Sequence, residues 1–138
     1  MIVKKSSFAN FVYKNYIEEY NNNNVYLKIC DLGCGNYRDS NFFNYTNNLC
    51  YGVDIKWSFR YRKYKLIKKD VDIVMQHYEL RMLFDIIYIR WFLHALPYSI
   101  FKNAVKNLKA NGLLCIEVRS INDEELKKIV HTINKMSH

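Results

Sequence analysis

Apolar residues Phe8, Phe11, Val12, Tyr16, Ile17 and Tyr20 recur at intervals of three and four, which lays one sticky face along a helix from about Ser6 to Tyr20. The polar run from Asn21 to Asn24 ends it, and the pattern then changes period. Val25 to Asp31 is a β-rich run that stops at a glycine loop, Ser40 to Thr46 is a short segment able to form a helix, and Tyr51 to Ile55 is a second strand. Lys65 to Val71 has the composition of a third strand, and Asp72 to Arg81 that of a short helix. Phe84 to Trp91 is the most continuous β-type run, as expected of a parallel strand buried on both faces. Pro97 suits the first turn of a helix whose buried face is Ile100, Phe101, Ala104, Val105 and Leu108. Asn111-Gly112 turns the chain into a fifth strand, Leu113 to Val118. Asp123 to Lys135 reads as a closing helix, with acidic residues at its start and lysines further along, as the helix dipole prefers.

Strands and helices alternate without an internal repeat, which predicts an α/β fold with a mostly parallel sheet of about five strands and helices on both faces. The 138 residues suffice for one domain and its core, divided as an N-terminal helix (1–24), an α/β core (25–120) and a C-terminal helix (121–138). Half the residues are hydrophobic and 16% are aromatic, which excludes wholesale disorder. The longest apolar stretch, around Leu83 to Leu96, contains Asp85, Arg90 and His94, so no membrane span is expected. The start, Met-Ile-Val-Lys-Lys followed by Ser6 and Ser7, lacks the apolar core of a secretory signal, and a cytoplasmic protein is expected. Abundant Asn, Lys, Ile and Tyr is the composition of an A+T-rich genome; for a viral gene the compartment is the host cytoplasm. Cys30, Cys34, Cys50 and Cys115 form no Cys-x-x-Cys pair, so they read as reduced thiols, and no metal site is expected. The formal net charge of +8 can concentrate acidic partners but does not choose among them.

The chemistry-bearing residues fall at strand ends, where open parallel sheets bind ligands. Gly33 and Gly35, flanking Cys34, follow the first strand and permit a tight turn and close backbone approach. Asp31 discriminates between ligands: a carboxylate beside this loop repels a dinucleotide pyrophosphate and attracts the ammonium group of a methionine moiety. The G-x-G-x-x-G pattern also fails, because Arg38 occupies its third glycine position. Asp54, with Ile55 beside it, ends the second strand, where a carboxylate can accept from both ribose hydroxyls. Asp70 ends the third, placed for an adenine amino group with the Val71 backbone adjacent. The plain alternative is that Asp31 caps a loop while Asp54 and Asp70 are solvated turn residues.

The order of these residues resembles class I S-adenosylmethionine-dependent methyltransferases across about Leu27 to Ser120. More narrowly, Asp31-Leu-Gly-Cys-Gly-Asn-Tyr-Arg-Asp-Ser40, Tyr88-Ile-Arg-Trp-Phe-Leu-His-Ala-Leu96 and Glu117-Val-Arg-Ser-Ile-Asn-Asp123 resemble a bacterial and viral group. Its members carry a GCGNGRDS-type loop, a Y-x-R-F-x-x-H segment and an E-x-R-S-x-x-D strand end. The resemblance implies a Rossmann-like three-layer sandwich and S-adenosyl-L-methionine as cofactor. It assigns the methionine end to Asp31, Gly33, Cys34 and Gly35, the ribose to Asp54, and the adenine to Asp70 and Val71. It also sets Arg90 and His94 at the reaction centre. Two departures stand out. Tyr37 occupies a position where the group has glycine, so the loop is either reshaped or partly obstructed. The chain also ends after one helix beyond the fifth strand, without the usual strands 6 and 7, which leaves that strand an edge for a protein partner or the N-terminal segment to cover.

Methyl transfer needs few protein groups beyond those that position the acceptor and remove a proton. His94 is the base candidate, against the alternative of a histidine hydrogen-bonded in a helical first turn. Arg90 either orients an acidic substrate or the cofactor carboxylate, or pairs with Glu117 or Asp31. Arg119, near its strand end, is a candidate for acceptor binding. The basic, aromatic stretch of residues 56–69 suits RNA or another polyanion, or else is a solvated connector packed on the sheet. Three readings result: a methyltransferase for a small or saccharide-like acceptor, a degenerate or partner-dependent cofactor-binding subunit, and an RNA methyltransferase.

Overall fold

The computed structural model describes residues 3–32, 37–53, 66–67, 84–90, 106–119 and 126–133, with backbone alone for 53, 66–67, 118–119 and 126–133. Its strands are β1 (Lys28–Leu32), β2 (Leu49–Val53), β3 (Leu66–Ile67), β4 (Phe84–Arg90), β5 (Leu108–Arg119) and β6 (Leu126–Ile133). They form one sheet in the order β3-β2-β1-β4-β5-β6, in which the first five run parallel and β6 antiparallel to β5. The order reverses between β1 and β4, so the carboxyl ends of these two strands border the crevice where such sheets bind ligands. This is the expected Rossmann-like architecture.

The predicted N-terminal helix spans α1 (Ser7–Val12), a π-helical stretch (Tyr13–Ile17) and α2 (Glu18–Asn22). Ser6 starts it as an N-cap, accepting from the Ala9 N–H at 3.0 Å, an interaction worth about 1 kcal/mol. A third helix, α3 (Arg38–Tyr45), follows the glycine loop. Side chains alternate along a strand, so Ile29, Ile86, Tyr88 and Cys115 share one sheet face. Phe8, Ala9 and Val12 of α1 and Phe42 and Phe43 of α3 cover it, and this cluster is buried. The Tyr88 ring sits between the two helices, stacked on Phe8 at 5.2 Å and edge-on to Phe43 at 5.1 Å.

Two sequence expectations change. The helix expected over 121–138 is replaced within the described residues by β6, which pairs with β5 through eight residues, from Gly112↔Ile133 to Arg119↔Leu126. The segment carries Ile129, Val130, Thr132 and Ile133, β-branched residues that favour a pleated ladder, and the open side of β5 supplied the partner. The sheet thus continues one strand further than expected, and the β5 edge offered above to a protein partner is filled by the chain's own β6. Asn111-Gly112, expected as a turn before the fifth strand, instead lies inside β5, which begins at Leu108. Phe84 pairs with Leu108 and Ile86 with Leu113, so β5 carries extra residues there, with Asn111 at φ 64°. A Cβ on Gly112 would lie 2.9 Å from the Lys109 carbonyl oxygen, which explains glycine at the bulge. The helices expected over Asp72–Arg81 and from Pro97 lie outside the described residues, apart from the latter's end, where Leu108 is strand.

Phe43 is fully buried and braces the sheet from α3, so Phe43→Ala is expected to cost about 3–5 kcal/mol in urea denaturation. A loss below about 1 kcal/mol would show that this aromatic layer does not hold α3 to the sheet.

Candidate functional site at the carboxyl edge of the sheet

On the face covered by α1 and α3, each central strand turns from apolar to polar as it approaches the crevice. Ile29 is followed on that face by Asp31, Ile86 by Tyr88 and Arg90, and Cys115 by Glu117. Asp31 and Glu117 are each only 3% exposed. Charged groups this dry persist only where the fold supplies hydrogen bonds or counter-charges.

Asp39, in the first turn of α3, binds these elements together. Its Oδ1 accepts from the Ser6 N–H at 2.8 Å, and its Oδ2 accepts from the Ser6 hydroxyl at 2.6 Å and the Tyr88 hydroxyl at 2.7 Å. Two guanidinium groups add charge, Arg38 at 3.5 Å and Arg90 at 3.8 Å. One carboxylate therefore joins the cap of α1, the start of α3 and the end of β4. Burial, followed by the nearby charges of Asp39 and Asp31, pushes the Tyr88 phenol well above its ordinary range, so Tyr88 acts as a neutral donor.

Arg90 is the registered neighbour of Glu117, and its Nε donates to Glu117 Oε1 at 2.9 Å. Burial works to lower the Arg90 pKa, but the Glu117 hydrogen bond and the surrounding negative charge outweigh it and raise the pKa. Of the alternatives open for Arg90, pairing with Glu117 is present, with Asp39 rather than Asp31 as the second carboxylate. The other oxygen of Glu117, Oε2, is buried and has no hydrogen-bond partner among the described residues.

Asp31 reaches across the glycine loop to α3, where its Oδ2 accepts from the Ser40 hydroxyl at 2.7 Å, tying the two ends of the loop together. Tyr37, the residue in the place of a glycine, adopts φ 71° and ψ 14°, the left-handed conformation that glycine would supply without strain. Its side chain is fully buried, and its hydroxyl donates to the Cys50 carbonyl on β2 at 3.3 Å. Of the two possibilities raised by this residue, the ring has gone into the core beside β2.

Gly33, Cys34, Gly35, Asp54, Ile55, Asp70, Val71 and His94 lie outside the described residues, as does most of the basic stretch 56–69. Arg119 is placed by its backbone at the end of β5, opposite Leu126. The structure thus brings together Asp31 and Arg90, and adds Ser6, Asp39, Tyr88 and Glu117, which the sequence did not single out for a site. Signals for them existed: Ser6 precedes an amphipathic run as a cap should, Asp39-Ser40 opens the helix after the loop, and Glu117 interrupts an apolar strand. A separate cavity of about 230 Å³, lined by Tyr16, Tyr20, Asp85 and Lys109 among others, lies at the opposite edge, where β4 and β5 begin. Among the described residues no group of three or more His, Cys, Asp or Glu side chains is disposed to hold a metal, and no helix is long and apolar enough to cross a membrane.

Removing the Asp39 charge leaves Ser6, Tyr88 and Arg90 short of an acceptor, and Asp39→Ala is expected to cost about 3 kcal/mol in denaturant titration. A change within 0.5 kcal/mol, about the size of an ordinary surface substitution, would show that Asp39 does not bind these elements. Burial also pushes the Cys115 thiol from 9.0 up to about 12. The folded chain keeps the Cys115 and Tyr88 protons where the unfolded chain loses them. This stability is fully present below about pH 9 and is lost as pH rises towards 12, so the urea midpoint should fall between about pH 8 and pH 10.5. A midpoint that rises over this interval would contradict the assignment.

No protein-family model matches the chain, and no curated protein sequence matches it. Its fold is similar to solved structures. A SAM-dependent methyltransferase from Archaeoglobus fulgidus superposes with TM-score 0.64 at 18% identity, over 83% of this chain and 55% of that one. The 1,6-didemethyltoxoflavin-N1-methyltransferase of Burkholderia thailandensis, solved with bound 1,6-didemethyltoxoflavin and S-adenosylhomocysteine, gives 0.60 at 13% identity, over 88% and 60%. An S-adenosylmethionine-dependent methyltransferase from Mesorhizobium loti gives 0.56 at 18%, over 68% and 47%. The chain spans about half to three fifths of the length of these proteins. It has the Rossmann-like fold of class I methyltransferases.

Proposed function

We propose that this chain binds S-adenosylmethionine at the carboxyl edge of β1, β2 and β4 and serves in methyl transfer to an acceptor. The observation that carries the reading is electrostatic. In a protein of net charge +8, this one edge buries three carboxylates, Asp31, Asp39 and Glu117, beside two arginines that are more than a third exposed. Carboxylates this dry, beside arginines that solvent reaches, suit a ligand with an ammonium and a sulfonium and oppose a pyrophosphate. The fold supports the same reading, and so does Tyr37, whose inward ring speaks against obstruction of the loop and hence against a degenerate site.

The residues fit the cofactor as follows. Asp31 borders the loop of Gly33, Cys34 and Gly35 and supplies negative charge for the methionine ammonium. Asp54, with Ile55, serves the ribose, and Asp70 with Val71 the adenine. When bound, the cofactor supplies an electrophilic methyl group on a positively charged sulfur. Arg90, held between Glu117 and Asp39, shapes the floor of the site, and its engagement with these carboxylates leaves it poorly suited to hold an acidic acceptor. His94 is the proposed base and Arg119 the proposed acceptor contact, with a small or saccharide-like molecule as the acceptor. An RNA acceptor held by residues 56–69 is the competing assignment.

Calorimetric titration and thermal shift with S-adenosylmethionine test the reading, with saturable binding and a raised melting temperature expected. Absence of both at millimolar ligand would refute it. Asp54→Ala should weaken binding by about tenfold or more through loss of charged hydrogen bonds to the ribose. Unchanged affinity would remove Asp54 from the site.

A further inference from the structure

We propose, independently of the cofactor reading, that the chain self-associates through β6, two copies pairing their outer edges antiparallel about a two-fold axis. The two sides of the sheet finish unequally. In the order β3-β2-β1-β4-β5-β6, one side closes on a strand of two residues, Leu66–Ile67, and the other on a strand of eight, Leu126–Ile133. Among the described residues β6 pairs with β5 alone, which leaves the backbone groups of its far edge as a template for another strand. Edges that remain single are normally very short, or are broken by charge or proline. β3 fits this pattern and β6 does not. Its run Ile129-Val130-His131-Thr132-Ile133 holds no proline, acidic residue, lysine or arginine, and four of these five residues are β-branched.

The order of residues along β6 selects the partner. Its formal charge is confined to Lys127 and Lys128, near one end. A second copy laid antiparallel, with Ile129 opposite Val130, uses the whole strand. It sets Leu126 opposite Ile133, Lys127 opposite Thr132 and Lys128 opposite His131. No lysine then meets a lysine, although the copies are identical and each carries a net charge of +8. A parallel arrangement in register would set Lys127 on Lys127 and Lys128 on Lys128, the like-charge juxtaposition that destabilises cross-strand pairs. The antiparallel pairing is its own two-fold mate, the symmetry by which most homodimers close, and it joins two six-stranded sheets into one.

Sedimentation equilibrium of the full chain over a concentration series should show the mass rising from 16.7 kDa to twice that value. A mass that stays at 16.7 kDa up to millimolar chain would overturn the proposal and leave the edge to a strand of a different protein. Thr132→Lys sets a lysine opposite Lys127 of the second copy, twice per dimer, and should weaken association about tenfold. Adding Lys127→Thr exchanges the two residues at native net charge and should restore association to within about threefold. Adding Lys14→Thr instead removes the same charge from the N-terminal helix and should restore nothing. Association unaffected by Thr132→Lys, or equal recovery with either second substitution, would overturn the pairing. Should Thr132→Lys not fold, amide exchange of the native chain decides. Exchange over Leu126–Ile133 should slow severalfold as dimer forms, and exchange there that ignores concentration would overturn the proposal.

Discussion

A carboxylate buried to 5% exposure, Asp39, is the point at which the separately formed parts of this structure become one. Burying such a charge is unfavourable by several kcal/mol unless donors meet it, and here two donors come from Ser6, one from Tyr88, and two arginines stand nearby. The Ser6 donors cap α1, the Tyr88 donor comes from β4 and Asp39 itself opens α3, so the requirement to satisfy one charge fixes where α1 meets α3 and where both meet β4. The aromatic contacts of Phe8 and Phe43 on Tyr88 supply the area, and the carboxylate supplies the register.

The polar end of the sheet follows from the same demand. Helices on an α/β sheet need apolar strand faces beneath them, whereas the crevice needs groups that can meet a ligand. The chain reconciles the two by grading each strand, with Ile29 before Asp31, Ile86 before Tyr88 and Arg90, and Cys115 before Glu117. The grading leaves the polar groups at the crevice resting directly on the buried cluster of Phe8, Phe43 and Tyr88.

Alternation of strand and helix patterns was enough to read the parallel sheet and the place of the crevice, because burial on both faces writes a continuous apolar run such as Phe84–Arg90 directly into the sequence. The final strand was not legible. Acidic residues followed by lysines are compatible with a helix, and only the unfilled side of β5 tipped Leu126–Ile133 towards a ladder. The bulge at Asn111-Gly112 was hidden for a related reason: the same dipeptide serves a turn or an irregular strand, and its neighbours in space decide. In the site, Asp31 and Arg90 could be picked out by position. The partnership of Arg90 with Glu117 could only be left open, since 27 residues separate them and the strand register joins them. Asp39 was invisible as a hub because its donors come from residues 6 and 88.

Tyr37 has a kinetic consequence. A glycine at a left-handed position lets the adjoining loop sample many shapes, and a ligand that orders such a loop loses that entropy on binding. The tyrosine takes the same backbone conformation but is moored by a fully buried ring and a hydroxyl on the β2 backbone. The conformational cost is met during folding, so one end of the loop is already set when a ligand arrives. On the cofactor reading proposed above, a loop moored in this way trades adaptability for preorganisation: association need not wait for that hinge to settle.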